Sequence, residues 1–185
     1  MDTTFLALDS LLTRYINLFS AQDHKLPKAN FEPFWPSPCL IEDFDNKDAL
    51  WRPKERKNYQ LFDQLESSLE IIFHPDIKQF YGSFWSNGIA VEREDINFNL
   101  IQIWNEEDEE HLKENILGHV FAKIKSRLPL SFFIGCTFGD DVICLEQESG
   151  KIVLEKPGRK AHKELSPNLE SFLISLTPTQ DPYER

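Results

Sequence analysis

The sequence predicts an α+β fold of one domain: a mixed or antiparallel sheet, closing in a C-terminal meander and flanked by amphipathic helices. Three observations carry the fold. Apolar residues recur at spacings of three and four in four separate stretches, as on the buried stripe of a helix. Short runs rich in β-branched and aromatic residues stand between them, the last three separated only by turns. The 185 residues, 41% hydrophobic and 12% aromatic, suffice for one sizeable core. Residues 1–185 therefore read as a single domain, with 25–38 a proline-rich surface segment and 179–185 a frayed tail.

Phe5, Leu8, Leu12, Tyr15, Ile16 and Phe19 give the first helix its stripe. Its other face carries Asp9, Thr13, Arg14 and Asn17, too mixed and too little basic for a membrane-surface helix. KLPKANFEPFWPSP, from Lys25 to Pro38, excludes regular helix and central strand and is expected to wrap the surface, pinned by Phe31, Phe34 and Trp35. Cys39-Leu40-Ile41 is a short strand, followed by EDFDNKD as an acidic loop before Leu50-Trp51. Leu61, Phe62, Leu65, Leu69 and Ile72 predict a second helix ended by His74-Pro75, and Pro75-Asp76 can open a short turn through Phe80.

In INFNLIQIW, Ile96, Phe98 and Leu100 alternate with Asn97 and Asn99 before both faces become apolar, which predicts a strand entering the core. A helix follows with Leu112, Ile116, Leu117, Val120, Phe121 and Ile124 on one side. LSFFIGC, DVICLEQ and KIVLE are three strands, with Ser149-Gly150 suited to a two-residue hairpin turn. A last helix opens at Ser166-Pro167, serine as N-cap and proline at the first helical position, and buries Leu169, Phe172, Leu173 and Leu176.

Composition excludes several functions. The 20 Lys and Arg against 31 Asp and Glu leave a formal charge of -11, which repels phosphate backbones and anionic lipid head groups and is complemented by a basic surface. The acidic start and the lack of any run of about 20 apolar residues argue against a signal peptide and a membrane span. Cys39, Cys136 and Cys144 form no CxxC pair and read as reduced thiols of a cytosolic protein.

NEEDEEH, Asn105 to His111, puts five carboxylates at a strand-to-helix junction. Asn105 with Asp108 fits a helix cap, and acids in a first turn gain about 0.3–1 kcal/mol each from the helix dipole. Half a positive charge cannot offset five negative ones, and only Lys113 stands near enough in sequence to pair with Glu109 or Glu110. Glu107 with His111, or Glu110 with Glu114, lacks the matching ligands a metal needs from a second helix. Solvated acids also make poor general acids, so neither metal, cofactor nor catalytic residue is expected. His119 reads as a satisfied core histidine, Gly118 as a site of close backbone approach, and KPGRKAHK (156–163) as a solvated loop. Nucleophile elbows, Walker loops and dinucleotide fingerprints are absent.

FWPSPC, LIQIWNEED, ENILGH, LPLSFFIGCT and SPNLESFLISLTP, in this order over nearly the whole chain, resemble the SecY-interacting Syd family of the SUKH superfamily. The resemblance implies an α+β regulatory protein, not an enzyme, that lies in the cytoplasm and attaches to the cytoplasmic face of the inner membrane. It would do so by binding SecY, the translocase channel subunit, through a concave acidic face, a negatively charged groove, sensing or sequestering improperly assembled SecY. The superfamily also allows an alternative, an immunity-type inhibitor of a toxin enzyme. Trp104, Glu106, Glu107 and Asp108 match the family's tryptophan and acidic turn. Glu114, Asn115, Gly118 and His119 match its helix motif, and Pro36, Ser37, Pro38 and Cys39 its upstream loop. Glu109 and Glu110 extend the acidic turn beyond that pattern, and Glu42, Asp43, Asp45, Glu94 and Asp95 are further partner-binding candidates. A monomer is expected, without nucleic-acid or direct lipid binding.

Overall fold

The first apolar stripe forms helix α1 (Thr3–Asp23), which buries Ala7, Leu8, Leu11, Leu12 and Tyr15. The computed structural model describes residues 3–23, 26–30, 32–45, 48–94 and 96–180, with backbone alone for 22, 23 and 42–45. The proline-rich segment supplies one short edge strand, β1 (Lys28–Asn30), beside β3 (Asp48–Trp51), which also pairs with β2 (Leu40–Asp45). Of the acidic stretch expected as a loop, Glu42 to Asp45 and Asp48 are therefore strand, and 46 and 47 lie outside the described residues. Phe34 is 96% exposed and pins nothing, and Phe31 lies outside the described residues. Trp35 does make a contact, stacking on His111 with ring centroids 5.8 Å apart.

Strand β4 (Lys54–Glu55) precedes α2 (Gln60–Leu69), which buries Leu61, Phe62 and Leu65. Glu70, with φ 56°, stops α2 at Leu69, short of His74-Pro75, so Ile72 falls outside the helix and stays exposed. Helix α3 (Pro75–Gly82) is longer than the turn expected there, and the His74 side chain caps it, accepting from Asp76 N–H at 3.2 Å. β5 (Phe84–Trp85) then pairs with β4.

The main sheet has seven antiparallel strands. β6 (Ile89–Arg93), β7 (Ile96–Leu100), β8 (Ser131–Thr137), β9 (Val142–Glu146), β10 (Ile152–Glu155) and β11 (Ala161–Ser166) form a meander, and β12 (Thr177–Pro178) returns to pair with β6. The basic stretch expected as a solvated loop thus runs, from Ala161, into the edge strand Ala161–Ser166. Its outward Lys163 and Glu164 and its register irregularities are devices that blunt an open edge. Ile152 opposite Leu145 leaves 147–150 as a four-residue turn rather than a two-residue one. Gly150 has φ 69°, and a Cβ there would meet His74 Nε2 at 2.7 Å.

Helix α4 (Glu106–Lys125) crosses from β7 to β8, and α5 (Leu169–Ser175) precedes β12. The cap of α5 is Asn168, whose side chain accepts from Ser171 N–H at 2.8 Å, because Ser166 is still paired in β11. Arg14 of α1 donates to the carbonyls of Leu176 (2.6 Å) and Leu173 (3.2 Å), satisfying the end of α5. One core joins the layers, with Phe73 against Phe132 at 4.6 Å and Phe98 stacked on Phe172 at 5.9 Å. The result is an α+β fold of a single domain.

Candidate functional site

The start of α4 is built by reciprocal caps. Asn105 Oδ1 accepts from Asp108 N–H at 2.9 Å, and Asp108 Oδ2 accepts from Trp104 N–H at 2.8 Å. Asn105 Nδ2 donates to Pro36 O at 3.0 Å, while Ser37 Oγ donates to Trp104 O at 2.5 Å and accepts from Cys39 N–H at 3.1 Å. These bonds fasten the Pro36–Cys39 loop against the helix N-terminus. Between them lies a concavity of about 380 Å³, lined by Pro36, Ser37, Pro38, Asn105, Glu106 and Glu107. Trp104, the residue before the cap, is half-buried and packs edge-on against buried Trp51 at 5.9 Å.

The five acids have different fates. Asp108 is engaged in the cap. Glu109 accepts from Arg56 Nη2 at 2.7 Å, with the two side chains 13% and 2% exposed, and Arg56 lies 3.9 Å over the Trp85 ring. Glu110 pairs loosely with Lys113 at 3.3 Å. Glu106 and Glu107 are exposed at the concavity. Glu107, Glu110 and Glu114 follow at spacings of three and four, so exposed acids continue down one face of α4 past His111, on which Trp35 stacks.

The other candidates do not join this group in the described structure. Glu94, just past the end of β6, is engaged by Arg93 at 3.5 Å and Lys163 at 3.9 Å. Asp95 and the side chains of Glu42, Asp43 and Asp45 lie outside the described residues. Gly118 is solvent-exposed, and nothing comes within 4 Å of a Cβ built there, so close approach does not explain it. Asn115 is exposed as well. The buried stripe of α4 is Leu112, Ile116, Val120 and Lys123, whereas Phe121 and Ile124 are mostly exposed.

Lys123 was missed because a lysine on an apolar helix face reads as a break in the stripe. Its Nζ donates to Glu155 Oε2 at 2.7 Å, both side chains being at most 2% exposed, and Ser131 Oγ donates to the same carboxylate at 3.1 and 3.2 Å. His119 joins them, its Nε2 3.4 Å from Ser131 Oγ and 3.8 Å from Glu155 Oε1, and burial pulls its pKa below 6.5. Ligand atoms of His119, Cys144 and Glu155 lie within 4.8 Å of one another. The Lys123 ammonium, however, already holds the cation position on Glu155. Burial also pushes the Cys144 thiol well above its ordinary value, which suits neither a metal thiolate nor a nucleophile. The cluster bolts α4 to β8 and β10. Its sequence signal was Lys123 standing three residues after Val120, in phase with the buried positions.

Among the described residues no helix is long and apolar enough to cross a membrane. The family pattern described as Syd protein (SUKH-2) matches residues 5–178. A protein Syd of Hahella chejuensis is 42% identical over 149 residues, covering 80% of this chain and 77% of that protein. The protein Syd of Pseudoalteromonas atlantica is 33% identical over 94% of this chain and 95% of its own length, and that of Pectobacterium carotovorum 30% identical over 93% and 94%. With a family match spanning α1 to β12 and relatives 30–42% identical over 77–95% of their own lengths, the chain belongs to the Syd (SUKH-2) family.

Proposed function

We propose that the protein is a non-enzymatic regulator that binds basic cytosolic loops of SecY through the acidic notch and the face of α4 that extends it. The observation that carries this is the exposed pair Glu106 and Glu107, without an ion pair among the described residues, at a preformed concavity, continued by Glu110 and Glu114. Cytosolic loops of membrane proteins carry excess Lys and Arg. An acidic notch suits such loops, while a net charge of -11 keeps the protein off bare anionic lipid. The protein would therefore act in the cytoplasm and reach the inner membrane only through SecY, sensing or sequestering copies that are not properly assembled. Pro36, Ser37 and Pro38 form one wall of the notch, the Trp104 carbonyl holds Ser37 in place, and Asp108 holds the helix that presents it.

Co-sedimentation with SecY-containing membranes tests this reading. Wild type should pellet with them at low salt and be released as salt rises, and Glu106→Lys with Glu107→Lys should stay in the supernatant. Equal, salt-insensitive binding of both proteins would overturn it. Stable capture of a toxin enzyme, with no affinity for SecY membranes, would instead favour an immunity role.

A further inference from the structure

Helix α4 carries two apolar rows. The inner one, Leu112, Ile116 and Val120, is buried in the core. The other lies on the outer face, where Phe121 is 59% and Ile124 52% exposed and Leu117 is half-buried. Toward the N-terminus this outer row continues as Glu114, Glu110 and Glu107, all exposed, so that six residues follow at spacings of 3, 4, 3, 4 and 3. Alternation of three and four is the spacing of a seam along which one helix packs on another. The row runs about 25 Å along the helix axis. Its acidic half has a neighbour on each flank: Lys113 donates to Gln64 of α2 at 3.2 Å on one, and Trp35 stacks on His111 on the other. Gly118 stands at the edge of the row between Glu114 and Phe121, exposed and with open space where a Cβ would be. A glycine inside a helix costs about 0.5–1 kcal/mol relative to alanine, and no contact within the chain accounts for this one.

Acids at one end of the row and apolar side chains at the other define what fits it. We infer that the outer face of α4 seats an amphipathic helix of a partner. That helix carries Lys or Arg over Glu107, Glu110 and Glu114, and apolar side chains three and four residues apart over Leu117, Phe121 and Ile124. Charge selects it: of the three acids only Glu110 has an ion pair among the described residues, a loose one with Lys113 at 3.3 Å. The acids speed encounter and the apolar half sets residence. Gly118 lets the partner's backbone approach where a side chain would hold it off. A second copy of this chain is a poor occupant, because each copy brings a net charge of -11. The inference rests on the reading that the acids of α4 receive a basic partner, and adds that the contact is helical and extends over the apolar half.

The test is fluorescence anisotropy of labelled, alanine-based helical peptides of about 18 residues, the length of the row, titrated with the whole protein. One peptide carries lysines and then leucines in line, spaced as the α4 row is. A second has the same composition with its leucines moved to the opposite face. The in-line peptide should bind at least about tenfold more tightly than the permuted one. Phe121→Ser with Ile124→Ser, and separately Gly118→Leu, should each weaken it about tenfold with the urea midpoint little changed, since these positions face solvent in the free protein. Three results would overturn the inference: no preference for the in-line peptide, unchanged affinity for it in either variant, or self-association of the protein that Phe121→Ser with Ile124→Ser abolishes. Co-sedimentation with SecY membranes tests the SecY reading apart from this. Its failure with the peptide results intact would remove the named partner and keep the helix seat. Failure of the peptide results beside salt-sensitive SecY binding would remove the seat alone.

Discussion

Glu109 and Glu106 stand three residues apart in one acidic run, yet their surroundings assign them opposite parts. Glu109 is held by Arg56 in a site nearly closed to solvent, so removing it leaves a buried guanidinium uncompensated. Glu109→Ala is expected to cost about 2–4 kcal/mol in urea unfolding, whereas Glu106→Gln should stay within about 0.5 kcal/mol of wild type. A stability change of equal size in both would contradict this division. Thiols divide in the same way. Burial raises Cys39 to about 11 and Cys144 well above its ordinary value, while Cys136 is exposed. An alkylating agent at pH 8 should therefore label Cys136 in the native protein and reach the other two only on unfolding. His119 adds a pH dependence. Burial lowers its folded pKa below 6.5, so the unfolded chain binds the proton more readily. The His119 contribution is fully present above pH 6.5 and is lost as pH falls through its lowered folded value. The fall in urea midpoint below pH 6.5 should be shallower in His119→Asn.

Helix α4 shows how much of an element was legible in the sequence. Its existence, its Asn105 cap and the burial of Leu112, Ile116 and Val120 follow from spacing and cap chemistry. Its rotation does not, because Phe121 and Ile124 are apolar enough to count inward, and nothing in a lysine's own chemistry marks Lys123 as buried. The buried carboxylate that reverses this lies on β10, and a contact between residues 123 and 155 has no local signature. Lys123→Met should cost about 3–5 kcal/mol by stranding the Glu155 charge, and adding Glu155→Leu should recover most of the loss. Failure of the second change to restore stability would show that the pair itself carries net energy. Gly118 gives the opposite sign. With open space at its Cβ and a helical backbone, Gly118→Ala should stabilise by about 0.5–1 kcal/mol. The start of α5 was misread for a related reason. Ser166-Pro167 is a sound local start signal, but pairing of β11 with β10 keeps Ser166 in the sheet and passes the cap to Asn168.

At the scale of the whole molecule, the sequence's strand patterns sufficed for the α+β class and for β7 to β10 of the meander. They missed the small strands β1, β4, β5 and β12, whose two or three residues are too few to show a period. The acidic turn was legible as a place of excess charge. Which of its acids remain available was not, since Arg56 and the Pro36–Cys39 loop reach it from distant parts of the chain. The central claim is that Glu106 and Glu107, in the notch, attract basic SecY loops. The most direct measurement is the dissociation constant for SecY in lipid nanodiscs at a series of salt concentrations, for wild type and for Glu106→Gln with Glu107→Gln. Wild-type affinity should fall steeply with salt, and the variant should bind about tenfold more weakly at low salt with a flatter dependence, the two curves converging at high salt. Superimposable curves would contradict the account.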